Sequence, residues 1–359
     1  MKKLLFLFLL ASLFIAPVWA EDAPLDVSAV EKDLDEEARE IGGELKTDGS
    51  YDLDGALGRL WKKARSEAAE RVRAEGRTCT RLIAVAVLCA AAEALCDEGR
   101  IRELLSICAC AAVTVGTLGS VDSLAGELNA AIGALGAYAR GALSAVYTAA
   151  AVSGAVVSAG AKYAAVLLCL NIMMDVLSKL TIPLIYVYLA LCISRCVLQN
   201  AVLNAAASAA KWLAVTMMTL LTMGASAYIT LTGALSGGAD AIAVKGTKSV
   251  IAGALPVVGG ILSDAASAVL AAASVIRNSA GVFALVGVCA LCLSPFLAIG
   301  VKLLLFRLCA AVASAAEGKR LAVLLGDMST AFGMMLGVLG SLAILLFLAF
   351  LSAMRTVSA

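Results

Sequence analysis

Residues 248–281 read KSVIAGALPVVGGILSDAASAVLAAASVIRNSAG, a run of membrane grade interrupted by Pro256, Gly259, Gly260 and Asp264. Proline removes a helix donor and the paired glycines relax the backbone, so one unbroken helix is not expected here. Irregular backbone at membrane depth persists only where protein or a water-filled cavity satisfies its polar groups, and a carboxylate there marks a functional site by default. As a helix, residues 249–258 would rise about 15 Å, half of a hydrocarbon core near 30 Å. Residues 263–276 form a second half of similar reach. At the turn, Gly259 and Gly260 adopt conformations other residues avoid, while Ser263 or Asp264 can cap the amides that open the second half-helix. Asp264 there meets the positive end of the helix, which favours its ionised form. The expected element is thus re-entrant, with Pro256, Gly259, Gly260, Ser263 and Asp264 gating or lining a passage. A second reading stays open, in which Pro256 kinks an ordinary span, the glycines permit close packing and Asp264 is a plain interfacial cap.

The composition around this segment fixes the class. Hydrophobic residues make up 62% of the chain and the mean hydropathy is +0.95, well above a soluble globular average. This predicts an all-α polytopic membrane protein. The net charge of +1 provides no field for nucleic acid, and there is no basic tract interleaved with aromatics. No nucleic-acid partner is expected; membrane lipid is. Histidine is absent, which removes the usual general base and the commonest metal ligand, and the chain is not expected to be an enzyme or to hold a metal or cofactor. It carries no glycine-rich phosphate loop with Lys and Ser/Thr, so it does not read as its own energy source. The eleven cysteines lie almost all in apolar runs and read as small hydrophobes. Cys289 and Cys292 have redox or metal spacing but no second pair. Only Cys79 precedes the first expected span, so no disulfide framework is expected there.

Residues 1–20 carry Lys2 and Lys3, a short apolar core and a small-residue cleavage site, the pattern of a signal peptide. Residues 21–81 form a charged extracytoplasmic region. Val27, Val30, Leu34, Ala38 and Ile41 share one face of a first helix, and Leu53, Leu57, Leu60, Trp61, Ala64 and Ala68 recur at helical spacing in a second. Residues 82–359 are a polytopic transmembrane domain. Apolar segments fall at 82–96, 104–121, 130–157, 163–176, 182–198, 212–235, 282–301 and 328–354; allowing for their uneven length, about seven spans plus the re-entrant piece are expected. Small residues such as Gly333 and Gly337 predict close helix packing, within the chain rather than across a dimer.

Loop charge suggests the orientation. With the amino end outside, residues 98–102 fall inside and 122–127, which lack basic residues, outside. Lys162 then falls inside, 179–181 outside, 195–211 inside and 236–240 outside. If the broken segment dips and returns, Lys302, Arg307, Lys319 and Arg320 fall inside as the tendency requires, and this favours re-entry. On 212–235, Thr216, Thr219, Ser226 and Thr230 line one face; such hydroxyls line a polar conduit or, more commonly, bond to the preceding turn. Lys248, with Lys245, marks membrane entry by snorkelling, or binds a phosphate or lipid headgroup. Asp175 and Lys179 are spaced to pair along one helix, and Lys302 and Arg307 read as orientation anchors or a docking patch.

Pro256-Val257-Val258-Gly259-Gly260 followed by Leu262-Ser263-Asp264-Ala265 resembles the signature of the stage III sporulation protein AE family. Arg277-Asn278-Ser279-Ala280-Gly281 resembles that family's Lys-Asn-Ala-x-Gly, with arginine and serine as departures, which adds Arg277 and Asn278 as candidates. The resemblance implies a membrane component of the channel complex that links mother cell and forespore in endospore-forming bacteria, seated in the mother-cell membrane around the forespore. It also implies partners: other stage III sporulation A proteins, including a cytoplasmic ATPase and bitopic ring-forming proteins, and stage II sporulation protein Q. The function expected is a non-enzymatic subunit that forms or gates a conduit. An ion- or solute-coupled secondary transporter or permease, with Asp264 binding an ion or small anion at the midplane, is one alternative. A purely structural assembly scaffold is the other.

Overall fold

The computed structural model describes residues 52–95, 99–150, 156–198, 200–234, 279–316 and 318–357. The expected signal peptide at 1–20, the first amphipathic helix and the broken segment at 248–278 lie outside them. The described elements are α1 (Leu53–Leu95), α2 (Gly99–Ala150), α3 (Val156–Val176), a π-helical turn (Leu177–Thr181), α4 (Ile182–Leu198), α5 (Ala201–Ala234), α6 (Ser279–Ala315) and α7 (Lys319–Val357).

Cross-helix contacts fix the direction of each rod. Cys89 lies beside Leu105 and Arg71 beside Glu127, so α1 and α2 are antiparallel. Cys196 meets Cys110, Tyr186 meets Asp122 and Ser178 meets Asn129, so α3 and α4 together form one rod that runs back along α2. Met218 packs at Gly337 and Ile229 accepts from Ser352, which sets α5 parallel to α7. Ser329 donates to the Leu303 carbonyl across the antiparallel pair of α6 and α7. The rods therefore alternate up and down. α6 and α7 are mostly buried at the centre, where Phe306 and Phe332 meet edge to face at 5.1 Å, while α2, α3–α4 and α5 turn most of their apolar windows outward. Outward side chains include Leu95 (86% exposed), Val115 (76%) and Val202 (70%), a surface that suits lipid rather than water.

Five helical stretches are long and apolar enough to cross a membrane: Gly99–Ala145, Lys162–Leu198, Ala201–Thr230, Phe283–Ala315 and Lys319–Ala353. They differ from the expected segments because two expected junctions are helical. No turn occurs at 122–127. Val121, Leu124, Ala125, Leu128, Ala131, Ile132 and Leu135 are buried at helical spacing straight through it, while Asp122 lies exposed and Glu127 only partly covered. Nor does the chain reverse at 179–181. The ring of Pro183 denies α4 a donor in its first turn, and the π-helical turn just ahead of it widens the spiral instead, with the Ile182 N–H bonded to the Leu177 carbonyl. Similarly, the expected helix near 53–68 and the segment 82–96 are one helix, α1. Pro295 lies inside α6 without ending it.

The lost crossing moves Lys162 to the end opposite Arg100, contrary to expectation: Tyr163, next to it, is level with Arg140 and Tyr147 near the end of α2. Five of the other basic groups remain together. Arg100 and Arg102 open α2, Arg195 lies in the last turn of α4, and Lys319 and Arg320 open α7 at the same end of the bundle. At the other end, Ile229 of α5 is level with Ser352 and Ala284 of α6 is level with Tyr138, whose ring lies 6.1 Å from Phe350. The chain thus leaves α5 and enters α6 on one side, whatever path joins them.

This helix order makes a direct prediction. Cys110 and Cys196 have sulfurs 2.7 Å apart, and Cys79 and Cys309 3.0 Å apart. Copper-phenanthroline oxidation of membranes should join each pair within the chain, read as linked peptides by mass spectrometry. Exclusive linkage of these thiols to other cysteines would contradict the order.

Candidate functional site

Three helices each present polar residues seven apart, so that both project from one face: Glu103 and Cys110 on α2, Tyr188 and Arg195 on α4, Arg320 and Asp327 on α7. Packing of α2, α4 and α7 brings these faces together. Arg195 Nη2 forms an ion pair with Asp327 Oδ2, and the side chains are only 19% and 15% exposed. Tyr188 donates its hydroxyl to Asp327 Oδ1 at 3.3 Å. Arg320 Nη2 pairs with Glu103 Oε1 at 2.7 Å, and the Cys196 thiol lies against both Cys110 and the Arg320 carbonyl. Asp327 stands about two turns inside α7, within a stretch long and apolar enough to span. A charge at that depth is expensive unless paired, and here each arginine has its own carboxylate. Even so, Arg195 Nε and Arg320 Nη1 are buried without a hydrogen-bond partner. The cluster can hold three helices in one register, and a shift of α4 along α7 would have to break it.

A second polar seam joins α1 to α2 and α6. Arg71 reaches Glu67 and Glu127, each at 3.5 Å, and donates to Ser294 Oγ at 3.1 Å. Glu75 pairs with Lys302 at 3.2 Å. Lys302 was expected as an anchor at the end of its span; it is instead buried in mid-helix and neutralised by α1.

Of the candidates read from sequence, Lys248, Pro256, Gly259, Gly260, Ser263, Asp264, Arg277 and Asn278 lie outside the described residues. Thr216 and Thr219 are half-buried on α5, and Thr219 donates to the Val215 carbonyl one turn back. Thr222, Ser226 and Thr230 also bond to their own helix, the commoner of the two roles expected of such hydroxyls. Asp175 and Lys179 form the expected pair at 2.9 Å, but both are well exposed and contribute little. Gly333 and Gly337 face Leu303 and Met218 of the same chain, as intrachain packing requires. Among the described residues no three His, Cys, Asp or Glu side chains converge on a metal-sized site.

The Arg195–Asp327 cluster is not found by sequence reading, because the last apolar segment, 328–354, starts well inside α7 (Lys319–Val357) and leaves Asp327 out. An aspartate flanked by Leu321–Leu325 and by 328–354 was the signal.

Taken together, these features define an all-helical bundle of membrane-spanning type with charged groups paired inside it. The family model of stage III sporulation protein AE matches residues 44–356, nearly the whole chain, and the chain belongs to that family. No curated protein and no solved structure matches it.

Proposed function

We propose that this chain is a non-enzymatic, multi-span subunit of the channel complex between mother cell and forespore, and that it forms or gates a conduit through the mother-cell membrane. The observation that carries the reading is a set of paired charges held inside an apolar bundle, in a chain of the stage III sporulation AE family. Paired charges inside the span of α7 mark a functional candidate by default, and the scaffold reading accounts for them by helix register alone. Its energy comes from outside the chain, from the cytoplasmic ATPase among the other stage III sporulation A proteins, and stage II sporulation protein Q completes the assembly. The gate is the element carrying Pro256, Gly259, Gly260, Ser263 and Asp264, re-entrant between α5 and α6 and additional to the five spans. Support for its re-entry comes from the flanking helices, which end and begin on one side of the bundle.

Asp264→Asn and Gly259→Leu test this. Each is expected to lower the yield of heat-resistant spores while the protein accumulates normally in the membrane. If both variants accumulate and sporulate like the parent, the gate is lost and a scaffold is the better account.

A further inference from the structure

The outer face of α1 is basic from Lys62 to Arg81. Lys62, Arg65, Arg73, Arg77 and Arg81 are exposed along it with a single acid, Glu70, among them, whereas Glu67 and Glu75 turn inward to the bundle. Beyond Arg81 the same face becomes apolar, with Ala84, Val87 and Leu88 exposed. One helix therefore presents two different surfaces to its surroundings.

Contacts with α6 set the depth of the basic part. Arg71 reaches Ser294, Glu75 reaches Lys302 and Cys79 touches Cys309, and all three partners lie within Phe283–Ala315. The uninterrupted apolar run of α6 from 283 to 301 is about 28 Å long, close to the thickness of a hydrocarbon core, and Ser294 sits inside it. The basic stripe from Lys62 to Arg81 also runs about 28 Å at the rise of a helix. The contacts place Lys62, Arg65, Glu70 and Arg73 beside that run and Arg77 and Arg81 beyond Lys302, and Glu70, next to Arg71, is exposed at mid-depth where no headgroup is in reach. On this flank α1 carries charge on its outward face as well as in the inward ion pairs, alongside the apolar helix α6.

Building on the conduit reading, we infer that Lys62, Arg65, Arg73, Arg77 and Arg81 face the water-filled passage and make it selective for small anionic solutes. Rows of Arg and Lys along a low-dielectric wall raise the local concentration of anions and exclude cations.

The test uses the full-length chain, reconstituted in planar bilayers with the channel proteins that co-purify with it, under a potassium chloride gradient. The wild type is expected to pass chloride in preference to potassium, and Arg73→Glu with Arg77→Glu to invert that preference with conductance retained. Arg73→Gln with Arg77→Gln should give an intermediate ratio and guards against misfolding of the reversed variant. In parallel, Arg73→Cys in native membranes should gain a label from a membrane-impermeant maleimide over the wild-type background, and Leu220→Cys, exposed on the outward face of α5, should not. A conducting protein whose selectivity ignores both substitutions, or an Arg73→Cys sealed from the reagent, overturns this inference and leaves the conduit reading standing. A wild-type assembly that does not conduct removes the conduit reading, and the assignment of these residues as its lining falls with it.

Discussion

Asp327→Ala is expected to destabilise the bundle by about 3–5 kcal/mol, because it leaves the Arg195 guanidinium buried without its carboxylate. The two side chains are 15% and 19% exposed, so water screens the orphaned charge poorly. Tyr188 loses its acceptor at the same time. The variant should accumulate poorly in membranes and, once purified in detergent, unfold at a clearly lower temperature. Removing both charges separates stability from function. Arg195→Met combined with Asp327→Leu should recover most of the lost stability, since apolar replacement of a buried pair is often neutral or better. If the pair works in gating, the stable double variant will still sporulate poorly; if it only fixes helix register, sporulation returns with accumulation.

The second large effect is expected at Gly287. This glycine of α6 packs against Tyr138, a fully buried ring of α2 whose hydroxyl donates to the Ala284 carbonyl at 3.0 Å. A Cβ at position 287 would stand 2.6 Å from Tyr138 Cζ. Phe350 of α7 packs against the same ring, 6.1 Å between centroids, and the ring is fully buried, so movement away from a new Cβ is costly. Gly287→Ala should cost about 1–3 kcal/mol by overpacking, with about 1 kcal/mol more if the Tyr138 hydrogen bond is lost. Gly337→Ala provides the contrast. Its Cβ would meet only the terminal Cε of Met218, at 2.5 Å, and a flexible methionine end can move. A thermal unfolding comparison in detergent should rank Gly287→Ala well below Gly337→Ala, and equal stabilities would contradict the packing around Tyr138.

Helix content was legible in the sequence because the apolar runs are long and proline is scarce. The runs at 282–301 and 328–354 fall within α6 and α7, and the run from 212 lies in α5 through Ala234. Breaks were not legible in the same way. Asp122 and Glu127 were read as a loop because charged residues usually leave the membrane, yet the buried residues from Val121 to Leu135 keep the helical repeat across them. Polarity on the outward face of a helix and polarity in a loop look alike in composition; only the phase of the apolar residues separates them. The pairing of Glu75 with Lys302, or of Arg195 with Asp327, could not be read from one chain, because periodicity assigns a face to a residue and not a neighbour to a face. Lys302 consequently reads as an anchor in sequence, and the charged part of α1 as an extracytoplasmic region, whereas the two are paired through Glu75.

The central claim is that the alternating bundle crosses the membrane with its basic end in the cytoplasm, and that the chain both leaves α5 and enters α6 on the far side. Sandwich insertion of a dual activity reporter after Ala316, and separately after Ala234, tests it directly. Cytoplasmic activity at 316 and extracytoplasmic activity at 234 is the predicted result. An extracytoplasmic reporter at 316, or both reporters on one side, would contradict the account.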